Sequence, residues 1–154
     1  MSCECGKYEA VRLDRKSILR RIRESKSLKK KLEGLAEYRE GYQWHNLYRC
    51  AECGQLWQES YAWNFGAKWY LFQVPPLDAG EWLAEPYVQP DELMMYGVAY
   101  EGLMAQSYEA RDCPCREEGC ENPAIRFHIL CKEHYLASQL KLPRGRVFPP
   151  YSVG

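Results

Sequence analysis

The chain has 154 residues, 46% hydrophobic and 27% charged, with no net charge; this is the composition of a globular domain and excludes both a disordered chain and a uniformly basic nucleic-acid binder. No apolar run reaches the ~18 residues of a membrane span, and the start MSCECGKYEAVRLDRK lacks the apolar core of a signal peptide, so a cytoplasmic protein without membrane contact is expected. Eight cysteines in a reducing compartment point to metal ligands rather than disulfides.

In chain order, the spacing of Ile18, Ile22, Leu28, Leu32 and Leu35 predicts helix over 14–39, with Asp14 as N-cap and Gly41 as the stop. The polar run Glu24-Ser25-Lys26-Ser27 interrupts the stripe and allows two shorter helices. Strands are predicted from Tyr42 to Tyr48 and from Leu56 to Val74, the second broken by a turn at Asn64-Phe65-Gly66. Pro75-Pro76 ends that meander, and 75–90, with four prolines, reads as loop with at most a turn of helix. Pro90-Asp91-Glu92 starts a further helix, whose stripe of Leu93, Tyr96, Tyr100, Leu103 and Met104 is expected to be core. A strand is predicted from Ile125 to Ile129, then a short helix toward Leu140 and an extended tail, LPRGRVFPPYSVG. The fold class expected is α+β: a small antiparallel sheet with a few helices, stapled by two structural zinc sites. Residues 1–75, 76–112 and 113–154 form its three segments, packed as one compact unit.

The strongest chemical signal is CPCREEGCENPAIRFHILCKEHY, residues 113 to 135. Cys115 and Cys120 bracket a glycine-containing turn, and Cys131 and His134, three apart, share one face of a helix's first turn. Three thiolates and an imidazole suit tetrahedral zinc. Cys113, too close to Cys115 to share its ion in a knuckle, is left spare, and His128 is read as a satisfied polar residue. This stretch resembles treble-clef zinc fingers of the form CxxxxC…LCxxHY, some of which accompany HNH nucleases. The resemblance implies a treble-clef-like C-terminal finger. The paired catalytic histidines of such nucleases have no counterpart.

A second site starts at Cys50-Ala-Glu-Cys53-Gly, where the glycine suits a knuckle that turns backbone N–H groups toward the sulfurs. A redox CxxC normally opens a helix, whereas strand-like sequence flanks this one. Cys3 and Cys5 are the remaining pair; His45 or Cys113 is the alternative for one of them. Two zinc ions per chain are therefore expected. Nothing matches HExxH, or H-x-E with P-C-x-x-C, so neither a zinc hydrolase nor a deaminase is expected.

The segment WHNLYRCAECGQLWQES resembles the H…LYRCxxCGxxW segment of small bacterial zinc-ribbon-like proteins, some of which stand beside polymorphic toxins as immunity proteins. That resemblance implies a non-enzymatic interaction module with a protein partner, in its most specific form a toxin that the module blocks. The alternative is a nucleic-acid-binding zinc finger using 15–31, which holds nine of the 21 basic residues: Arg20, Arg21, Arg23, Lys26, Lys29, Lys30 and Lys31 would meet phosphates, and Trp57, Trp63 and Trp69 would stack on bases. An opposing acidic stretch, 78–112, holds eight acids and one base and is able to neutralise the basic one or to face a partner.

Overall fold

A computed structural model gives the fold and describes residues 3–140 and 143–148. The chain divides into two compact units, one ending at Met94 and resuming at Arg144, the other Met95–Pro143.

The first unit is built on a four-stranded antiparallel sheet in the order β1 (Leu32–Glu40), β2 (Gln43–Cys50), β3 (Leu56–Ala62), β4 (Lys68–Val74). It follows helix α1 (Arg15–Lys29), whose N-cap is Asp14: the Ser17 amide donates to its carboxylate at 2.7 Å. The predicted helix therefore ends ten residues early, and Leu32–Glu40 is strand. Local propensity favours helix in LEGLAEYRE, but this segment pairs with β2 from Leu32 opposite Cys50 to Glu40 opposite Gln43. Gly41, expected as a helix stop, instead has φ +59 in the two-residue hairpin turn, where the left-handed backbone favours glycine.

The polar run in α1 also has a structural use. Ser25 Oγ accepts the Leu71 amide at 2.8 Å, and the buried Arg21 donates to the Leu71 carbonyl at 3.0 Å. The helix thus occupies backbone groups of the edge strand β4 that would otherwise seek another strand.

One face of the sheet, with Leu47, Phe72 and Val74, packs against Ile18 and against Trp82 of a short helix α2 (Ala79–Ala84). In register on the same face lie polar residues at full burial. His45 Nδ1 is 2.7 Å from Ser60 Oγ, and its Nε2 is 3.0 Å from Gln43 Oε1. Burial, then the Arg39 charge, pushes the His45 pKa down to about 4. The folded protein therefore favours the neutral ring. Its contribution is complete above the unfolded value of 6.5 and is lost as pH falls toward 4. Relative to His45→Gln, wild type should lose roughly 3 kcal/mol across that window. Paired urea titrations at several pH values check this; a constant difference would refute it.

Helix α3 (Pro90–Met104) starts where predicted, but its stripe is not core. Of the five residues only Leu93 is buried, and Tyr100 and Met104 are exposed. Its first turn is anchored instead by Asp91, fully buried, whose Oδ1 accepts from Tyr70 at 2.5 Å and Gln89 at 2.6 Å. Residues 143–148 include Arg146, whose amide donates to the Pro86 carbonyl at 3.0 Å and which bridges to Tyr87. The rest of the predicted tail, 149–154, and residues 141–142 lie outside the described residues.

The second unit contains β5 (Ala110–Pro114), β6 (Pro123–Ile125) and α4 (Lys132–Gln139). The strand expected from Ile125 to Ile129 stops at its first residue. The Ile125 amide donates to Leu130 O at 2.9 Å and the His128 amide to Ile125 O at 3.0 Å, closing a tight turn. Phe127, at φ +69, and Ile129 are exposed on it. No helix among the described residues is long and apolar enough to cross a membrane.

Candidate metal centres

Two groups of four donors converge: Cys3, Cys5, Cys50 and Cys53 in the first unit, Cys115, Cys120, Cys131 and His134 in the second. Within each group the ligand atoms all lie within 4.8 Å of one another, so each could hold a metal ion.

The C-terminal group is assembled locally. Cys115 follows β5, and the turn to Cys120 closes through the Cys120 amide to the Glu117 carbonyl at 3.1 Å, with Gly119 at φ +80. The Cys115 amide donates to Asn122 O at 2.8 Å. Cys131 is the N-cap of α4, and His134 follows on its first turn. His134 Nδ1 is 3.4 Å from Cys115 Sγ and 3.3 Å from Cys131 Sγ; the Cys120 and Cys131 sulfurs are 3.9 Å apart. Burial opposes ionisation of Cys115, but hydrogen bonds from the Cys131 and Glu117 backbone and from the Cys120 and Cys131 side chains together outweigh it, and its thiol pKa is lowered. The chain order here is β5, the Cys115–Cys120 turn, β6 paired back onto β5, then α4 with Cys131 as its cap and His134 in its first turn.

The first group joins distant parts of the chain. Cys50 ends β2, and its carbonyl accepts the Gly54 amide at 2.9 Å across a turn that needs the φ of +78 at Gly54. Cys3 and Cys5 come from the N-terminal segment, where Cys5–Lys7 forms a single 3-10 turn. The Cys53 amide, aided by that of Glu52, holds the Cys50 thiol down to about 7 against the effect of burial. Burial pushes the Cys5 thiol up to about 12. One thiol is thus prepared to ionise near neutrality, while another is buried at a cost that a bound cation would offset.

Among the described residues Cys113 and His45 join neither group. His128 packs its ring 4.3 Å from that of Tyr135.

The opposite face of the sheet carries a feature only partly signalled by the sequence. Trp57, Trp63 and Trp69 do lie toward one side, but they part company in burial: Trp57 is buried beside the first metal group, while Trp63 is 40% exposed. Trp63 and Trp69 join Tyr42, Trp44 and Tyr61 in one cluster, with neighbouring ring centroids 4.5 to 6.4 Å apart. Arg39 stacks over Trp69 at 5.3 Å and donates to Asn46 Oδ1 at 2.8 Å. Alternation in β2 and β3 was the available signal for Trp44 and Tyr61; Arg39 was hidden by the helix assigned to its strand.

The basic helix offers less than its sequence suggests. Arg21 is buried and spends its donors on Leu71 O, Glu9 O and Glu24. Lys29 pairs with the buried Glu59 at 3.1 Å, and Lys31 pairs with Glu4. These acids lie outside 78–112, so the neutralisation found here comes from elsewhere in the first unit. Arg20, Arg23, Lys26 and Lys30 remain exposed.

Comparison of the chain with protein families, with curated proteins and with solved structures finds no match.

Proposed function

We propose that this is a non-enzymatic zinc-binding interaction module: two structural zinc ions each staple one of its units, and the open end of the sheet's aromatic face receives a protein partner. Sets of four thiolates, or of three thiolates and one imidazole, are those that select zinc in structural sites. A tetrahedron with Zn–S of about 2.3 Å and Zn–N of about 2.0 Å separates sulfurs by about 3.8 Å and sulfur from nitrogen by about 3.5 Å. The C-terminal separations of 3.9, 3.4 and 3.3 Å suit it. In each set four protein atoms are available to fill the shell, whereas a catalytic zinc keeps a position open for water. The zinc supplies cohesion, and the chain's own knuckle amides favour the thiolates that hold it.

The observation that carries the partner reading is the cluster of Tyr42, Trp44, Tyr61, Trp63 and Trp69 with Arg39. Trp, Tyr and Arg are the residue types in which binding energy concentrates at protein interfaces. Trp44 and Trp63 donate their indole N–H groups to Gly41 O and Tyr42 O, so the rings are pre-set rather than ordered on binding. The specific form of the reading, supported by the resemblance around Cys50, is an immunity protein that blocks a bacterial toxin by direct contact.

The test pairs a partner with a competitor. Tagged wild-type protein should retain a stoichiometric protein partner from its source, and Tyr42→Ala/Trp63→Ala should bind it at least about tenfold more weakly. Equal retention by both proteins, or none by wild type, would count against the reading. Titration with DNA and RNA should give only weak binding. Phosphate contacts by Arg20, Arg23, Lys26 and Lys30 would make such binding fall by about two orders of magnitude between about 50 and 200 mM salt. Submicromolar binding at physiological salt, lost when Arg20, Arg23, Lys26 and Lys30 are changed to Gln, would favour the nucleic-acid reading instead.

A further inference from the structure

Trp57 lies on β3 with no exposed surface, in the cluster that contains Cys5 and Cys50. Its ring is held from two sides. Tyr8 meets it edge-on at 6.0 Å between centroids, and the Arg21 guanidinium lies 5.5 Å from the ring centre. Arg21 is itself fastened to the Leu71 carbonyl at 3.0 Å, so the orientation of the indole is set by the fold.

The indole N–H of Trp57 is buried without a hydrogen-bond partner. Trp44, Trp63 and Trp82 each place theirs on an oxygen, at 3.0, 2.8 and 2.8 Å. Burying a tryptophan for its area while orphaning its donor is unfavourable, since a phenylalanine would fill much of the space at no polar cost. The polar side chains packed with Trp57 in its buried cluster are the sulfurs of Cys5 and Cys50, two members of the four-cysteine group, and of these Cys5 comes from the N-terminal segment whose Tyr8 also meets the ring. A neutral thiol is a weak acceptor; a metal-bound thiolate carries charge and free lone pairs, and is a good one.

We propose that the Trp57 indole N–H donates a hydrogen bond to Sγ of Cys5 when that sulfur is a metal-bound thiolate, which makes Trp57 a positioning residue of the first metal centre. This rests on the metal reading of Cys3, Cys5, Cys50 and Cys53. It explains why the donor is left without an oxygen: its acceptor is completed by the ion. It also orders the sulfurs by reactivity. Cys5 is buried and loses charge to the indole, whereas Cys53 is exposed and is where a chelator or oxidant gains entry.

The test uses the full chain loaded with cadmium-113 in place of zinc. One indole proton, assigned to Trp57, should show scalar coupling to one cadmium nucleus through the N–H···S–Cd path and should exchange slowly with solvent. A Trp57→Phe variant should lose that signal and bind metal at the first site about 10- to 100-fold more weakly in chelator competition, with the second cadmium resonance unmoved. The coupling is read on the wild-type protein, so it decides the matter even if the variant folds poorly. Cadmium bound at both sites with no coupling to the Trp57 proton would overturn this inference and leave the metal reading standing. No cadmium bound by the four N-terminal cysteines would overturn both.

Discussion

Cys131→Ser is expected to cost the second unit its fold and the protein one of the two metal ions proposed for it, while Cys113→Ser leaves both in place. The asymmetry follows from position. Cys131 caps α4 and brings its sulfur within 3.9 Å of Cys120 and 3.3 Å of His134 Nδ1. Cys113, two residues before Cys115 on β5, belongs to no donor group among the described residues. The unit Met95–Pro143 has little else to hold it: among its described residues the buried apolar set is Ala124, Ile125 and Leu136, with the two cysteines. So small a core does not offset the conformational entropy of its chain, and zinc binding contributes on the order of 10 kcal/mol to units of this kind. Native mass spectrometry should count two zinc ions on wild type and on Cys113→Ser, and one on Cys131→Ser. Hydrogen exchange should show protection lost over 110–139 in the last variant, with the sheet of the first unit retained. Equal, large losses in both variants would mean that the donor set is different.

Gln58→Leu is expected to destabilise the first unit by about 3–5 kcal/mol, although leucine is apolar and similar in length. Gln58 sits at full burial in the middle of β3, with His45 Nδ1 at 3.3 Å from its Nε2 and four closer partners. Its Oε1 accepts from Trp82 Nε1 at 2.8 Å and from the Tyr87 amide at 3.0 Å; its Nε2 donates to the Tyr87 carbonyl at 2.8 Å and to Ser60 Oγ at 3.0 Å. Through these bonds one side chain holds both α2 and the segment after it onto the sheet. Leucine leaves an indole N–H and both backbone groups of Tyr87 unpaired in the core, each at a cost of about 1–3 kcal/mol less whatever rearrangement recovers. Urea unfolding of the zinc-loaded proteins measures it. A loss below about 1 kcal/mol would show that water or a local shift replaces the side chain.

Features that depend on short separations are legible in the residues alone. The Cys115-x4-Cys120 turn, the Cys131-x2-His134 pair, the Asp14 cap and the β3–β4 hairpin around Asn64-Phe65-Gly66 each lie within a few residues, where spacing and turn chemistry leave few choices. The meeting of Cys3 and Cys5 with Cys50 and Cys53 was also legible, because thiols seek four-fold company and few other candidates remained. Contacts between distant residues set the remainder. Leu32–Glu40 has the local preferences of a helix, and only the presence of β2 beside it makes a strand the better arrangement. An apolar stripe states that a face can be buried, not that a surface is there to bury it. So Leu93 is core, while Tyr100 and Met104 on the same helix are exposed. Ser25 read as an interruption until the Leu71 amide of an edge strand came within 2.8 Å of it, and Trp57 and Trp63, similar in sequence context, were separated by what covers each half of the sheet. In each case the missing quantity was the identity of a neighbour distant in the chain, and periodicity carries no information about that.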